Sequence, residues 1–331
     1  MKVIAIGDPH FKVKNIPKVE IFIEKLLVLI KNENPDFIIV LGDLLHNHER
    51  IHSLVLNKAY DFIERLRIEA FTYILVGNHD LINNQQFQTE NHWMNGMKEW
   101  DNVKVVDKTC IRNHGNHKFV FCPYVPVGRF NEALATLDES WQDVSCIFAH
   151  QEFYGCKMGA IISEEGDKWN TNLPFVISGH IHVNQKLETG VYYPGSAMQH
   201  AFGESAHNII PIIQFAKDKY NYKEIDLGLT RKKIIYIDST DLEEFKIPKT
   251  KDEIRLTISG TVEQFKTFKK TKKYKKLVTS GIKIVYKPKK LNEPIISQET
   301  GEVNFFKILK NLVIKQNNKE LLNDFNSLNI G

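Results

Sequence analysis

One turn grammar recurs along the first 200 residues and constrains the fold more than any other feature. An apolar run stops at a glycine and then delivers an aspartate, an asparagine or a histidine. Residues 71–76 run into Gly77-Asn78-His79-Asp80, residues 3–6 into Gly7-Asp8-Pro9-His10, and residues 37–41 into Gly42-Asp43. Residues 175–177 run into Ser178-Gly179-His180-Ile181-His182, and residues 146–149 end on His150 without the glycine. Runs rich in β-branched and aromatic residues that halt at glycine read as buried strands feeding tight turns. Their polar residues then line the C-terminal edge of a sheet, where open α/β sheets bind ligands. Between the first runs, Asn15 and Pro17 open a helix whose apolar face is Val19, Phe22, Ile23, Leu26, Leu27 and Ile30, and Asn34-Pro35-Asp36 stops it. A second helix, capped by Ser53, carries Leu56, Ala59, Tyr60, Ile63 and Leu66. Two consecutive βαβ units predict a layered α/β sheet.

Farther along, residues 103–125 are strand-like, with Asn113-His114-Gly115-Asn116-His117 as a hairpin turn, and residues 130–137 read as helical. Residues 191–196 continue the sheet and residues 209–215 close it. Charge then changes sign. Residues 231–290 hold 18 Lys and Arg against 7 Asp and Glu, a surplus of 11, so with +4 overall the rest of the chain carries −7. This places a first domain at 1–230 and a basic module at 231–290. Strands at 255–259 and 282–286 around a lysine-rich helix at 262–274 make that module a small α+β unit. A polar, proline-bearing linker follows at 291–303. The final segment, 304–331, puts Phe305, Ile308, Leu309, Leu312 and Val313 on one helical face, extended by Leu321, Leu322, Phe325 and Leu328.

Cys110, Cys122, Cys146 and Cys156 form no C-x-x-C pair and three lie in or beside apolar runs, which reads as free thiols in a reducing compartment. No apolar stretch approaches the roughly 18 residues of a membrane span, and Asp8 interrupts the N-terminal run before it can serve as a signal segment. A cytoplasmic, non-secreted protein is expected, or one working at a nucleoid or at a viral replication site.

The side chains at the five strand ends mix carboxylate and amide oxygen with imidazole, a donor set that suits borderline divalent ions such as Mn²⁺, with Mg²⁺ the alternative. Two ions about 3.5–4 Å apart need a bridging oxygen, for which Asp43 is the natural candidate, and such pairs hydrolyse phosphoesters. The pairs Asp8/His10 and His180/His182 lie at i, i+2 just past strand ends, within reach of one or both ions.

The series D-x-H, G-D, G-N-H-D, H and G-H-x-H, formed by Asp8 to His182, resembles the calcineurin-like metallophosphoesterase superfamily over about the first 200 residues. The resemblance implies a layered β-sandwich flanked by helices. It implies that one ion takes Asp8, His10, Asp43 and His182 and the other Asp43, Asn78, His150 and His180. It also implies that His79 binds no metal but approaches the leaving or non-bridging oxygen, with Asp80 orienting it. Gly42-Asp43-Leu44-Leu45-His46, Pro194-Gly195-Ser196 with Phe202-Gly203-Glu204, and residues 256–261 are similar to SbcD-type nucleases of DNA double-strand-break repair, including phage and viral relatives. That branch implies DNA exo- and endonuclease activity, a DNA-facing cap domain, C-terminal helices docked on an SbcC-type coiled-coil ATPase, and His46 on the substrate side; a homodimer is compatible with it. A phosphatase or phosphodiesterase acting on protein or small molecules, and a non-catalytic scaffold, are the competing functions. The basic module weighs against the first and the complete ligand set against the second.

Lys266, Lys269, Lys270, Lys272 and Lys273 are either a solvated helix face or a grip on nucleic-acid phosphates. Phe265, Phe268 and Tyr274 between them pack in a core or stack on unpaired bases. The stripe from Phe305 to Leu328 packs on its own domain or on a partner.

Overall fold

In the computed structural model, residues 1–48, 50–217, 219–289, 312–316, 321–322 and 325 are described. The chain opens with β1 (Lys2–Ile6), α1 (Ile16–Glu33), β2 (Phe37–Val40), α2 (Ser53–Glu69), β3 (Phe71–Leu75) and β4 (Val103–Val106). All four strands are parallel neighbours, as the two βαβ units require. On α1 the six apolar positions at helical spacing are all buried, and Asn34 ends the helix in the left-handed region, its N–H bonding to the Ile30 carbonyl. The cap of α2 is His52, whose ring accepts from the Leu54 N–H, so Ser53 is the first helical residue and not the cap. Val55, Ala59, Phe62, Ile63 and Leu66 are the buried face; Leu56 and Tyr60 sit at its margin.

The second sheet is built from β5 (Cys110–His114), β6 (His117–Cys122), β7 (Cys146–His150), β10 (Val176–Gly179), β11 (Gln185–Lys186) and β12 (Val191–Tyr193), with α3 (Phe130–Ala135) between β6 and β7 and a hairpin of β8 (Lys157–Met158) and β9 (Ile161–Ile162) after β7. Its order is β11-β12-β10-β7-β6-β5. Two strands, β13 (Ile210–Ala216) and β14 (Lys219–Ile225), return antiparallel to the first sheet, giving the order β14-β13-β1-β2-β3-β4. The closing strand was expected; β14 was not, because its sequence Lys-Tyr-Asn-Tyr-Lys-Glu-Ile is polar on one face. Its tyrosines supply the other face, with Tyr220 stacked on Phe175 at 3.9 Å and Tyr222 on Tyr192 at 4.4 Å.

Alternation along each strand divides the cores. Val3, Ala5, Phe37, Ile39, Leu75, Phe119, Phe121, Phe148 and Ile177 meet between the two sheets. Ile4, Ile6, Ile38, Val40 and Ile74 face α1 and α2 on one side, and Val120, Ile147, Ala149 and Val176 face α3 on the other. The result is a four-layer helix–sheet–sheet–helix sandwich with the C-terminal ends of β1, β2, β3, β7 and β10 converging at one edge.

Residues 232–288 form a separate sheet of β15 (Lys232–Asp238), β16 (Glu253–Gly260) and β17 (Lys283–Pro288), with α4 (Val262–Lys269) and α5 (Lys272–Thr279) between the last two. All three strands are parallel, so the arrangement is α/β and not the α+β expected. The single lysine-rich helix is two helices, because the Thr271 hydroxyl accepts from the Tyr274 N–H and starts a new N-terminus. Both helices cover one face of this sheet through Phe268 and Leu277, packed on Ile254, Leu256 and Ile258.

The linker at 291–303 lies outside the described residues, as does most of 304–331; within the latter, residues 312–315 and 321–322 are helical. No helix among the described residues is long and apolar enough to cross a membrane.

Candidate metal centre

The five strand ends meet. Asp8, His10, Asp43 and Asn78 arrive from the first sheet, and His150, His180 and His182 from the second. Asp8, His10, Asp43 and His180 all hold positive φ, at 40°, 45°, 51° and 78°. Positive φ also occurs at Asn34, Gln88 and Asn102, but four such non-glycine residues gathered in one place is the clustering of backbone strain found at functional sites. Asp8, His10, Asp43, Asn78 and His150 are buried, most of them completely.

Their atoms point lone pairs at one another. His150 Nδ1 lies 2.6 Å from the Leu41 carbonyl, which can only accept, so Nδ1 carries the proton. That directs Nε2 at two further acceptors, Asn78 Oδ1 at 3.0 Å and Asp43 Oδ1 at 3.4 Å. His180 Nδ1 lies 2.9 Å from the same Asn78 oxygen. On the other side His10 Nε2 and His182 Nε2 are 2.9 Å apart, with Asp43 Oδ2 3.5 Å from His10 Nε2. Asp8 accepts from the His180 N–H through Oδ1 at 2.9 Å, while its Oδ2 is buried without a partner. Buried acceptors facing acceptors are costly unless a cation lies among them. Among the described residues three groups of donors converge in this way, Asp8/His10/His182, Asp43/His150/His180 and the all-imidazole His10/His46/His79; the first two contain carboxylates, and Asp43 gives one carboxylate oxygen to each of them. The residues fit a pair of divalent ions.

The electrostatics agree. Burial alone would raise the Asp43 carboxyl, but His150, His10 and His79 around it hold it well below the usual range. Burial would depress His150, yet Asp43 and Asp8 bring it up to about 9. A charged carboxylate balanced by a proton on a neighbouring imidazole is the position a metal takes over by displacing that proton.

His79 stands at the rim. Its N–H donates to Asp43 Oδ1 at 2.8 Å and its Nδ1 lies 2.8 Å from the His46 carbonyl, so Nδ1 is the protonated nitrogen and Nε2 is left to accept or, when charged, to donate. Asp80 was expected to orient this ring, and the structure corrects that. Its carboxylate is buried and accepts from the N–H groups of Gly77, Leu44 and Leu45 and from the Trp93 indole at 2.9 Å. It ties the turns after β2 and β3 together, and the His46 carbonyl orients His79. The His46 ring lies parallel to that of His79 at 5.8 Å, and the His48 ring is stacked on His79 at 4.5 Å.

Four residues were missed. Glu204 accepts from the His200 and Ala201 N–H groups at 2.7 and 2.8 Å and lies 3.8 Å from His182 Nδ1. Glu152 lies 3.9 Å from His180 Nε2. Both are carboxylates behind a histidine, the arrangement that fixes ring orientation in metal sites. His200 donates through Nε2 to the Asp8 carbonyl at 2.9 Å, and His48 flanks His79. Only the Phe202-Gly203-Glu204 signature gave any sequence hint of these.

A family model for calcineurin-like phosphoesterases matches residues 1–184. The chain belongs to the calcineurin-like phosphoesterase family. This phosphoesterase is 46% identical over 298 residues to a protein named as a candidate phosphoesterase, 078R of Invertebrate iridescent virus 3, covering 88% of this chain and 86% of that one. It is 48% identical over 278 residues to another so named, 244L of Invertebrate iridescent virus 6, covering 82% and 98%. Solved structures align more loosely. Yfce, a phosphoesterase from E. coli, gives a TM-score of 0.34 at 13% identity over 65% of this chain and 88% of that one. GAP50 of Plasmodium gives 0.40 at 12% over 69% and 85%.

Members of the family use divalent metals, which accords with the donor set of this phosphoesterase. The expected nucleic-acid lysines lie elsewhere. Lys266, Lys269, Lys270 and Lys272 are exposed on α4 and α5, while Lys273 bonds to the Glu243 carbonyl. Phe265, Phe268 and Tyr274 all pack into the small core, with Phe265 stacked on Tyr286 at 4.4 Å.

Proposed function

We propose that this phosphoesterase is a DNA nuclease that processes DNA ends, the nuclease subunit of an SbcCD-like complex acting in repair and recombination. One observation carries the reading: the metal centre is physically joined to the basic module. The loop that places Glu204 beside His182 also carries Phe202, whose ring lies under Arg255 at 5.1 Å and Lys283 at 5.2 Å. Next to it, Gln199 bonds to the Lys232 backbone through both ends of its amide. A catalytic body beside a module with a surplus of 11 positive charges suits a substrate whose phosphates continue past the scissile one.

In this reading Asp8, His10, Asp43 and His182 hold one ion and Asp43, Asn78, His150 and His180 the other, with Mn²⁺ favoured by the mixed donors. Such ions activate water and neutralise charge on the phosphoryl oxygens. The chain's own contribution is orientation. Leu41 fixes the His150 tautomer, Asp80 locks the turns that carry Asp43 and Asn78, and Glu204 steadies His182. His79, held through Nδ1, keeps Nε2 for the leaving or non-bridging oxygen. His46 lines the approach beside it.

The test is cleavage of duplex ends, DNA hairpins and circular single strands with Mn²⁺, Mg²⁺ or chelator, with and without an SbcC-type ATPase. Metal-dependent cleavage of DNA, restored best by Mn²⁺ after chelation, is the expected result. Hydrolysis of p-nitrophenyl phosphate or phosphopeptides with DNA untouched would overturn the reading in favour of a phosphatase.

A further inference from the structure

The small sheet has two faces, and among the described residues helices cover only one of them. Side chains at 235, 237, 254, 256, 258 and 284 point to α4 and α5. Alternation sends the intervening residues to the opposite face, and the parallel register arranges them in rows. Ile234, Arg255 and Lys283 form one row, Tyr236, Thr257 and Val285 the next, and Asp238, Ser259 and Lys287 the third. The first row meets the catalytic body: Arg255 and Lys283 stack on Phe202, in the loop that steadies His182. The open face is therefore continuous with the metal centre, whereas the lysine-rich helices lie on the far side of the sheet.

Beyond Phe202 the face rises to Tyr236, 71% exposed, beside Val285, 44% exposed. An aromatic ring left this open in the middle of a strand has no packing role among the described residues. Its charged neighbours have a consistent bias. Glu253 is paired by Lys18 and Lys283, and Asp238 by Lys289, while Arg255 and Lys287 have no carboxylate partner among the described residues. The face thus offers uncompensated positive charge around an exposed aromatic ring.

Resting on the nuclease reading above, we propose that this helix-free face is the platform for an unpaired DNA strand leading to the metal centre, with a base stacked on Tyr236 and backbone phosphates beside Lys287 and Lys283. Duplex DNA hides its base faces and cannot use the ring; a single strand presents them, and stacking tolerates any sequence. The cationic pair on Phe202 marks where the strand passes from the module to the metals.

The test is fluorescence anisotropy of a labelled oligothymidylate of about 12 nucleotides, and of a duplex of equal length, with chelator present so that neither is cut. Tyr236→Ala should weaken single-strand binding about 5- to 150-fold, the usual effect of losing one stacking ring, and duplex binding much less. Hydrolysis of bis-p-nitrophenyl phosphate by the metal-loaded variant should match the parent, showing an intact site. Tyr236→Trp should retain affinity, and its indole emission should fall as the strand binds. Changing Lys266, Lys269, Lys270 and Lys272 to Gln should cost less single-strand affinity than Tyr236→Ala. Unchanged single-strand affinity in Tyr236→Ala, or unchanged emission in Tyr236→Trp at saturation, overturns the platform while leaving the nuclease reading intact. A parent protein that hydrolyses the small diester but binds no DNA overturns both.

Discussion

Adding one methyl group at Gly77 should disable the site from outside the ligand set. A β-carbon built there would lie 2.3 Å from the Asp43 backbone nitrogen, 2.3 Å from Asp43 Oδ1 and 3.0 Å from His150 Cε1. Ordinary contacts with carbon run near 3.5 Å, so the two Asp43 atoms are about 1 Å too close. Neither can swing away. The nitrogen is main chain, and the carboxylate accepts from the His79 N–H. Gly77→Ala must therefore push the Asp43 turn away from the β3 turn, against the bonds from Gly77, Leu44 and Leu45 that Asp80 accepts. Overpacking of this kind costs about 1–3 kcal/mol of stability, and a displacement near 1 Å at a catalytic centre costs on the order of 10²-fold in turnover. Gly115→Ala is the control: that glycine has φ +55° in the β5–β6 hairpin with nothing within 4 Å of a new β-carbon. It should lose about 1 kcal/mol from the left-handed backbone alone and keep full turnover. Urea unfolding, calorimetric metal titration and hydrolysis of bis-p-nitrophenyl phosphate would separate the two. A Gly77→Ala protein with two tight metal sites and parental turnover refutes the steric argument.

Three other substitutions probe the remaining parts. His79→Asn should keep two ions bound while turnover falls about 10²- to 10⁴-fold, whereas His150→Asn should lose an ion; metal analysis of the purified variants decides, and a His79 variant with a single ion would remove that residue from its proposed role. Glu204→Gln should weaken metal affinity about 10- to 100-fold by loosening His182, measured by titration with Mn²⁺, and unaltered affinity would show that Glu204 serves only the loop. Asp107, bonded to His92 at 3.2 Å and Lys98 at 2.6 Å, is held down at about 2, since those partners outweigh the burial that would raise it. Its folded value lies below its unfolded one, so its stabilisation is complete above pH 4 or so and disappears as pH falls from there through about 2. Asp107→Asn should cost about 1 kcal/mol at pH 7, after allowance for solvent screening. In urea unfolding the gap to the parent should close on acidification, and a gap independent of pH would contradict this.

How much of this was legible beforehand depended on the range of the interactions. The strand–turn units were readable because hydrophobic period and glycine punctuation are local: the runs before Gly7, Gly42, Gly77 and Gly179 each carry their own signal. So were the residues brought to one edge, since parallel βαβ units leave little choice about where strand ends point. What escaped had either a weak local signal or none. The polar β14 is a strand because Tyr220 and Tyr222 find Phe175 and Tyr192, and Thr271 divides the lysine-rich segment 262–274, which was expected to be one helix.

Within the site, sequence alone determined the inventory of donors and tertiary structure determined what each donor can do. Which nitrogen of His150 is free depends on the Leu41 carbonyl, 109 residues away. His79 is oriented by the His46 carbonyl and not by the adjacent Asp80, because a 3₁₀ turn directs that carboxylate into the protein, toward main-chain N–H groups. The same holds for the basic module. Its charge could be counted from the sequence, but only the packing of α4 and α5 decides which face of the small sheet those helices cover and which residues they leave on the other, because a side chain's direction on a strand is fixed by register and not by composition.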